Sequence, residues 1–268
     1  MTQRESAILV MSDLHFGKET ATYNPHVFTE RLSELGQSLK RIHALLRGYQ
    51  IDELVIAMLG DANDGTGIYP TQEHHQGISN AEQQADQLSR LLSKFLLGQQ
   101  RVWGKVRVEC VPGNHGRAGK HAHEAANWDI VTYRYLQKSL EDKGIPVRMN
   151  GDRADPFIRK IKVRGHSYVL YHGHDIRTFS NIPWYGMMLR LSRWLSTKIS
   201  PFDVALMGHF HTAGTWDINR VRLFLSGTMV SDDDWALRTL GWESANKWWL
   251  FGVSDTRPVT WQYGVELK

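Results

Sequence analysis

Apolar residues fall along this chain in short, nearly unbroken runs at 7–11, 54–59, 106–111, 168–171, 204–207, 221–225 and 248–253. Runs this brief and near-continuous predict strands covered on both sides. Between the early runs the pattern changes to steps of three and four. Over 26–47, Phe28, Leu32, Leu35, Leu39, Ile42 and Leu46 form one stripe, with Asn24-Pro25 as its start signal and Gly48 as its stop; this is a core-facing helix. Residues 80–97 repeat the device with Ala81, Ala85, Leu88, Leu92 and Phe95, and 122–143 do so less cleanly. A fourth stripe over 184–198 aligns Trp184, Met188, Leu191 and Leu195 and leaves Arg190, Arg193 and Lys198 off it, the pattern of an amphipathic helix lying on a core. Strand-helix alternation in the first half implies parallel pairing, whereas the closer strands of the second half point to more antiparallel pairing. The expectation is an α/β chain with a mixed sheet, one domain over 1–268, with no internal repeat.

Two stretches, 64–80 and 174–186, carry turn residues and aromatics without any period. Loops of that length are often functional.

Composition narrows the class. Apolar residues make up 41% and charged residues 22% of the chain, which excludes the high-charge signature of disorder. A formal charge of +4 leans slightly toward a polyanionic partner. Cys110 is the only cysteine, so an internal disulfide is excluded and a reducing, cytoplasmic setting is expected. Near the N-terminus, five apolar residues precede Ser12 and Asp13, too few for a signal segment or a membrane span.

The chemistry lies at the carboxyl end of each run. After 7–11 comes Ser12-Asp13-Leu14-His15, after 54–59 Gly60-Asp61-Ala62-Asn63-Asp64, and after 106–111 Pro112-Gly113-Asn114-His115. His172-Gly173-His174 comes after 168–171, and Gly208-His209-Phe210-His211 after 204–207. Carboxyl ends of neighbouring strands share one rim, where open α/β sheets bind ligands. Asp13, His15, Asp61, Asn114, His172, His209 and His211 can therefore meet. A set of imidazoles, carboxylates and an amide, without thiolate, suits manganese, iron or zinc in an open catalytic site. Seven donors exceed one tetrahedral ion and fit two that share a carboxylate. Any one motif is weak, because a lone Asp-x-His at a strand end is more often a cap and the chain has 13 histidines; five in order are strong. His174 competes with His172, which is preferred because it directly follows its strand; His174 is then a neighbouring or substrate contact, with Asp175 to orient it.

The segments "SDLH", "GDAND", "GNH", "YHGH" and "GHFH" resemble the signature of the calcineurin-like metallophosphoesterase family. That resemblance implies a four-layer α-β-β-α sandwich, two mixed β-sheets flanked by helices, with a dinuclear centre on one edge. It places Asp13, His15 and His211 on one divalent ion, Asn114, His172 and His209 on the other, and Asp61 between them, with manganese first among the metals and iron or zinc as alternatives. His115 becomes the transition-state stabiliser or general acid. Gly116 departs from relatives that carry an acidic residue there to orient the histidine, so Asp64 is the candidate for that task. Gly65 after Asp64 departs from the Asp-Arg-Gly of protein phosphatases. The layout is closer to the diesterase and nuclease branch, which includes double-strand-break repair nucleases and phage-encoded relatives. The implied reaction is phosphodiester hydrolysis by a metal-bridging hydroxide on DNA, RNA or a nucleotide; the rivals are a phosphomonoesterase with the same metals and a non-catalytic nucleic-acid-binding subunit.

Other polar clusters have plainer readings beside functional ones. Arg117, Lys120, His121 and His123 are either a phosphate-receiving group at a helix N-terminus or a solvated turn, and Arg177 is similar. His74 and His75 read as a solvated loop pair ahead of a third metal site, with a substrate-facing lid as the functional alternative. Trp235, Trp242, Trp248, Trp249 and Trp261 are expected in the core, and Asp232-Asp233-Asp234 in a solvated turn.

Overall fold

Asparagine starts the first three helices. In the computed structural model, which describes residues 4–70, 72–123, 125–151, 155–179, 183–231 and 246–268, α1 (Pro25–Leu45) opens with the Asn24 side chain accepting from the N–H groups of His26 and Val27 at 2.9 and 3.1 Å. Asn80 caps α2 (Ala81–Trp103) through the N–H of Gln83, and Asn127 caps α3 (Trp128–Leu140) through that of Asp129. Each cap satisfies a donor the first turn leaves free. α2 runs beyond 97 to Gly104, whose positive φ of 76° ends it. α3 starts at 128 and not at 122, because Asn127 takes the cap. The fourth helix, α4 (Trp184–Trp194), buries Met187, Leu191 and Trp194, while Met188 is exposed; its stripe therefore lies beside the one expected.

The strands form two sheets. The first contains β1 (Arg4–Met11), β2 (Gln50–Met58), β3 (Val106–Cys110), β4 (Val147–Arg148), β10 (Lys247–Ser254) and β11 (Gln262–Glu266), in the order β11-β10-β1-β2-β3-β4. The second contains β5 (Ile158–Val163), β6 (His166–Tyr171), β7 (Val204–Met207), β8 (Gly214–Ile218) and β9 (Val221–Leu225), in the order β5-β6-β7-β9-β8. β1 to β4 pair in parallel and β10 runs against β1. In the second half β5–β6, β8–β9, β10–β11 and β10–β1 pair antiparallel, as expected for most of it, and only the centre of the second sheet, β6–β7 and β7–β9, is parallel, because β8 folds back on the outer edge of β9 and leaves β9 beside β7 in the same direction.

Three apolar layers separate four structural ones. On β1, Ala7, Leu9 and Met11 face α1 to α3, while Ile8 and Val10 meet Val55, Leu206, Phe224 and Phe251 between the sheets. That two-sided burial explains the unbroken apolar run. A third layer packs Leu191 and Trp194 of α4 onto Val169, Ala205 and Leu223. This is the α-β-β-α sandwich of two mixed sheets flanked by helices. At one edge Glu109 of β3, almost fully buried, holds Arg159 of β5 at 2.6 Å and also Arg107, tying the sheets together. A buried carboxylate of this kind is tolerated because it is paired. Trp248 is buried and Trp249 and Trp261 are partly so, while Trp235, Trp242 and Asp232 to Asp234 lie outside the described residues. Among the described residues no helix is long and apolar enough to cross a membrane.

Candidate metal centre

β1, β2, β3, β6 and β7 all end at one rim, and the backbone there is bent sharply. Among the described residues seven non-glycine positions have positive φ, and five are Asp13, His15, Asp61, His209 and His211, at 44 to 74°. Left-handed backbone at such residues costs about 1–3 kcal/mol each and persists where surrounding structure fixes it. Bonds between turns do the fixing: Asp13 N–H to Gly60 O at 3.0 Å, His15 N–H to Asp61 O at 2.9 Å, His115 N–H to Asp61 Oδ1 at 2.8 Å, and His209 N–H to Asp13 Oδ2 at 2.9 Å. A Cβ at Gly113 would strike Asp61, and one at Gly208 would strike Ser12 and Asp13. Glycine is required at both because another turn passes against them.

The predicted donors come together in two groups, Asp13 with His15 and His211, and Asp61 with His172 and His209, each within 4.8 Å. Nε2 of His15 and Nε2 of His211 stand 3.1 Å apart, and His211 Nε2 is 3.4 Å from Asp13 Oδ1. Asp61 Oδ2 lies 3.1 Å from His172 Nε2 and 3.9 Å from His15 Nε2, between the groups. Asn114 Oδ1 is 2.9 Å from His172 Nε2. His174 belongs to neither group; its ring packs on Phe157 at 4.8 Å, and Asp175 pairs with Arg190 at 2.8 Å and does not orient it.

The arrangement fits cations. Nδ1 of His172 points at Leu59 O, 2.8 Å away, and Nδ1 of His15 points at Asp64, 3.2 Å away. A neutral ring that donates from Nδ1 has a lone pair at Nε2. The Nε2 lone pair of His15, held neutral, therefore faces other acceptors, and Asp13 Oδ1 is buried with no hydrogen-bond partner. Converging buried acceptors need a positive charge among them. Burial holds His15 down to about 4 and His209 to about 3, keeping both rings neutral and able to ligate. Burial would lower His172 too, but the Asp61 charge and hydrogen bond push it up to about 9, so a proton sits there.

Around this set lie residues that the sequence suggested less clearly. Asp64 Oδ1 is 3.4 Å from His115 Nδ1, an ion-pair distance without hydrogen-bond alignment, and it also serves His15. A Cβ at Gly116 would run into Asn127 Oδ1 and the start of α3, which is why no acidic residue stands there. Buried Asp129 accepts from the N–H of Asn63 at 3.0 Å and of Gly113 at 2.8 Å, joining two turns. Tyr69 OH accepts from Asn114 Nδ2 at 2.6 Å, with its ring 4.7 Å from that of His115. Arg117 Nε donates to Asn114 O at 3.1 Å, and His121 and His123 are exposed. α3 begins only at 128, but its cap Asn127 bridges to Arg117, so a helix N-terminus does stand beside Arg117, with the N–H groups of Trp128 and Asp129 bonded to Gly116 O and Asn127 Oδ1. Tyr69 and Asp129 have no spacing signal, and only the length of the 64–80 loop hinted at Tyr69; Asn63 stands inside the GDAND segment, where the pattern gives it no role.

A family model for the calcineurin-like phosphoesterases matches residues 6–227. Among solved structures, the chain is similar to a predicted phosphoesterase from Streptococcus pneumoniae at 12% identity, covering 98% of this chain and 98% of that one with a TM-score of 0.39. It is similar to Vacuolar Protein Sorting 29 from Cryptosporidium parvum at 11%, 98% of each chain and 0.46, and to a novel archaeal phosphodiesterase at 11%, 97% of this chain, 99% of that chain and 0.43. No curated protein matches it.

Proposed function

Because the chain belongs to the calcineurin-like phosphoesterase family, we propose that it is a divalent-metal-dependent phosphodiesterase of the diesterase and nuclease branch, acting on a nucleic acid or nucleotide. The observation that carries this reading is Asp61 Oδ2, held between two converging donor groups. Asp13, His15 and His211 would hold one cation, Asn114, His172 and His209 another, and Asp61 both. Two such ions, manganese first among them and iron or zinc after it, would supply Lewis acidity toward water and the phosphoryl oxygens. The reading takes 1–268 as one domain.

The chain's own residues position and move a proton. Burial opposes charge on His115, but Asp61 and Asp64 overcome it and raise its pKa. His115 would give the proton of Nε2, the nitrogen that does not face Asp64, to the departing oxygen as the P–O bond breaks. Water supplies the new P–O bond, and the products are a monoester and an alcohol. Gly65 supports the diesterase branch over the protein phosphatases, since a Cβ there would strike the His115 carbonyl.

Manganese-loaded protein is expected to hydrolyse bis(p-nitrophenyl) phosphate faster than p-nitrophenyl phosphate. The opposite preference favours a monoesterase, and no turnover of either a binding subunit. His115→Ala is expected to lower turnover at least about 100-fold with fold and metal content intact, whereas Asp61→Ala is expected to lose metal as well.

A further inference from the structure

The described residues of the 64–80 loop are tied together by hydrogen bonds and leave a cavity beside the centre. Buried Gln72 accepts from the N–H of Ile68 at 2.9 Å and of Tyr69 at 3.2 Å, buried Gln84 accepts from the N–H of Gly65 at 2.9 Å, and the Gln76 amide donates to Gly65 O. These bonds hold Tyr69 between the Asn114 amide and the His115 ring. The rest of that ring, with Ile68, Pro70, Glu73, His74 and Lys120, lines a cavity of about 260 Å³. The side chains of Glu73, His74 and Lys120 make no hydrogen bond or ion pair to another described residue.

We infer that this cavity seats a nucleobase, so that one arm of the diester is a nucleoside whose phosphate lies over the histidines. The inference rests on the phosphodiesterase reading. A space of this size is smaller than the roughly 300–1,000 Å³ of whole-ligand pockets, so it takes one end of a substrate whose reacting group stays outside it. Its walls are flat and apolar at Tyr69 and Pro70, which suits an aromatic plane. Glu73 would repel a second phosphate. Carboxylate and ammonium together call for a neutral edge with N–H donors beside a carbonyl or ring-nitrogen acceptor, which is the edge of a base. Cation and carboxylate also exclude an acyl chain.

Calorimetric titration of the manganese-loaded full chain with the four common nucleoside 5′-monophosphates and with ribose 5-phosphate tests this, since the sugar phosphate lacks only the base. At least one nucleotide is expected to bind about tenfold more tightly than ribose 5-phosphate. Glu73→Gln and Lys120→Met are each expected to shrink that ratio severalfold while leaving ribose 5-phosphate affinity unchanged. Equal affinities for nucleotide and sugar phosphate overturn the base pocket, as does a Lys120→Met protein that loses both ligands equally, which would make Lys120 a phosphate contact. Either result with the diester still hydrolysed removes the pocket alone; if the diester is not hydrolysed by the wild type, the phosphodiesterase reading fails and takes the pocket with it.

Discussion

At the scale of residues, the site works by giving single atoms two tasks. Asp64 Oδ1 faces both His15 and His115, and Tyr69 OH fixes the amide of Asn114, so that Oδ1 of that amide is left toward His172. Groups that orient metal ligands typically affect affinity by about 10–100-fold. Tyr69→Phe, which keeps the ring and removes only the hydroxyl, is therefore expected to weaken manganese binding about tenfold with little change in melting temperature, as read by metal titration and calorimetric melting. A second expectation concerns the proton on His172. Its pKa near 9 in the metal-free protein exceeds the ordinary 6.5, because Asp61 outweighs burial; at pH 7 the ring carries a proton that a ligating nitrogen must lose. His15 and His209 are already neutral there. Metal loading at pH 7 should release about one proton per chain from this ring, and affinity should rise about tenfold per pH unit up to pH 9 and then level. Isothermal titration in buffers of different ionisation enthalpy measures the release, and its absence would mean that His172 does not ligate. The histidines and aspartates were legible because each follows its own strand. Tyr69 and Asp129 were not, since they reach Asn114 and Gly113 from 45 and 16 residues away.

At the scale of elements, turns and helix starts share the same space. Asn127 caps α3 and also donates to Gly113 O at 2.8 Å, while Gly116 passes close enough that its missing side chain is what admits the cap. Gly116→Asp, which restores the acidic neighbour seen in many relatives, is expected to destabilise the protein by about 1–3 kcal/mol through overpacking and not to raise turnover; urea unfolding and the diester assay read the two effects. Similar reasoning explains which elements the pattern revealed. β1 and β2 are buried on both faces and stand out as apolar runs. β5 reads Ile-Arg-Lys-Ile-Lys-Val, and β11 has only Val265 buried; both are edge strands whose polar face meets solvent, so hydrophobicity marks them poorly. β4 is two residues long and has no pattern to detect.

At the scale of the whole molecule, the donors belong to different sheets. Asp13, His15, Asp61 and Asn114 follow strands of the first, and His172, His209 and His211 follow strands of the second. What sets the distance between them is the layer in which Phe224 of β9 stacks on Phe251 of β10, with centroids 4.4 Å apart and planes 8° apart. Packed interiors relax only in part around a deleted side chain. Phe224→Ala is thus expected to cost about 3–5 kcal/mol and to weaken metal binding by letting the sheets shift, although it touches no donor. Leu191→Ala, beneath α4 on the outer face of the second sheet, removes comparable apolar contact and is expected to cost about 2–5 kcal/mol while leaving metal affinity within about twofold, because α4 supplies no donor and spaces none. Chemical denaturation and manganese titration on both variants separate the cases. If the two lost affinity equally, general loosening and not the inter-sheet layer would govern the spacing of the rim.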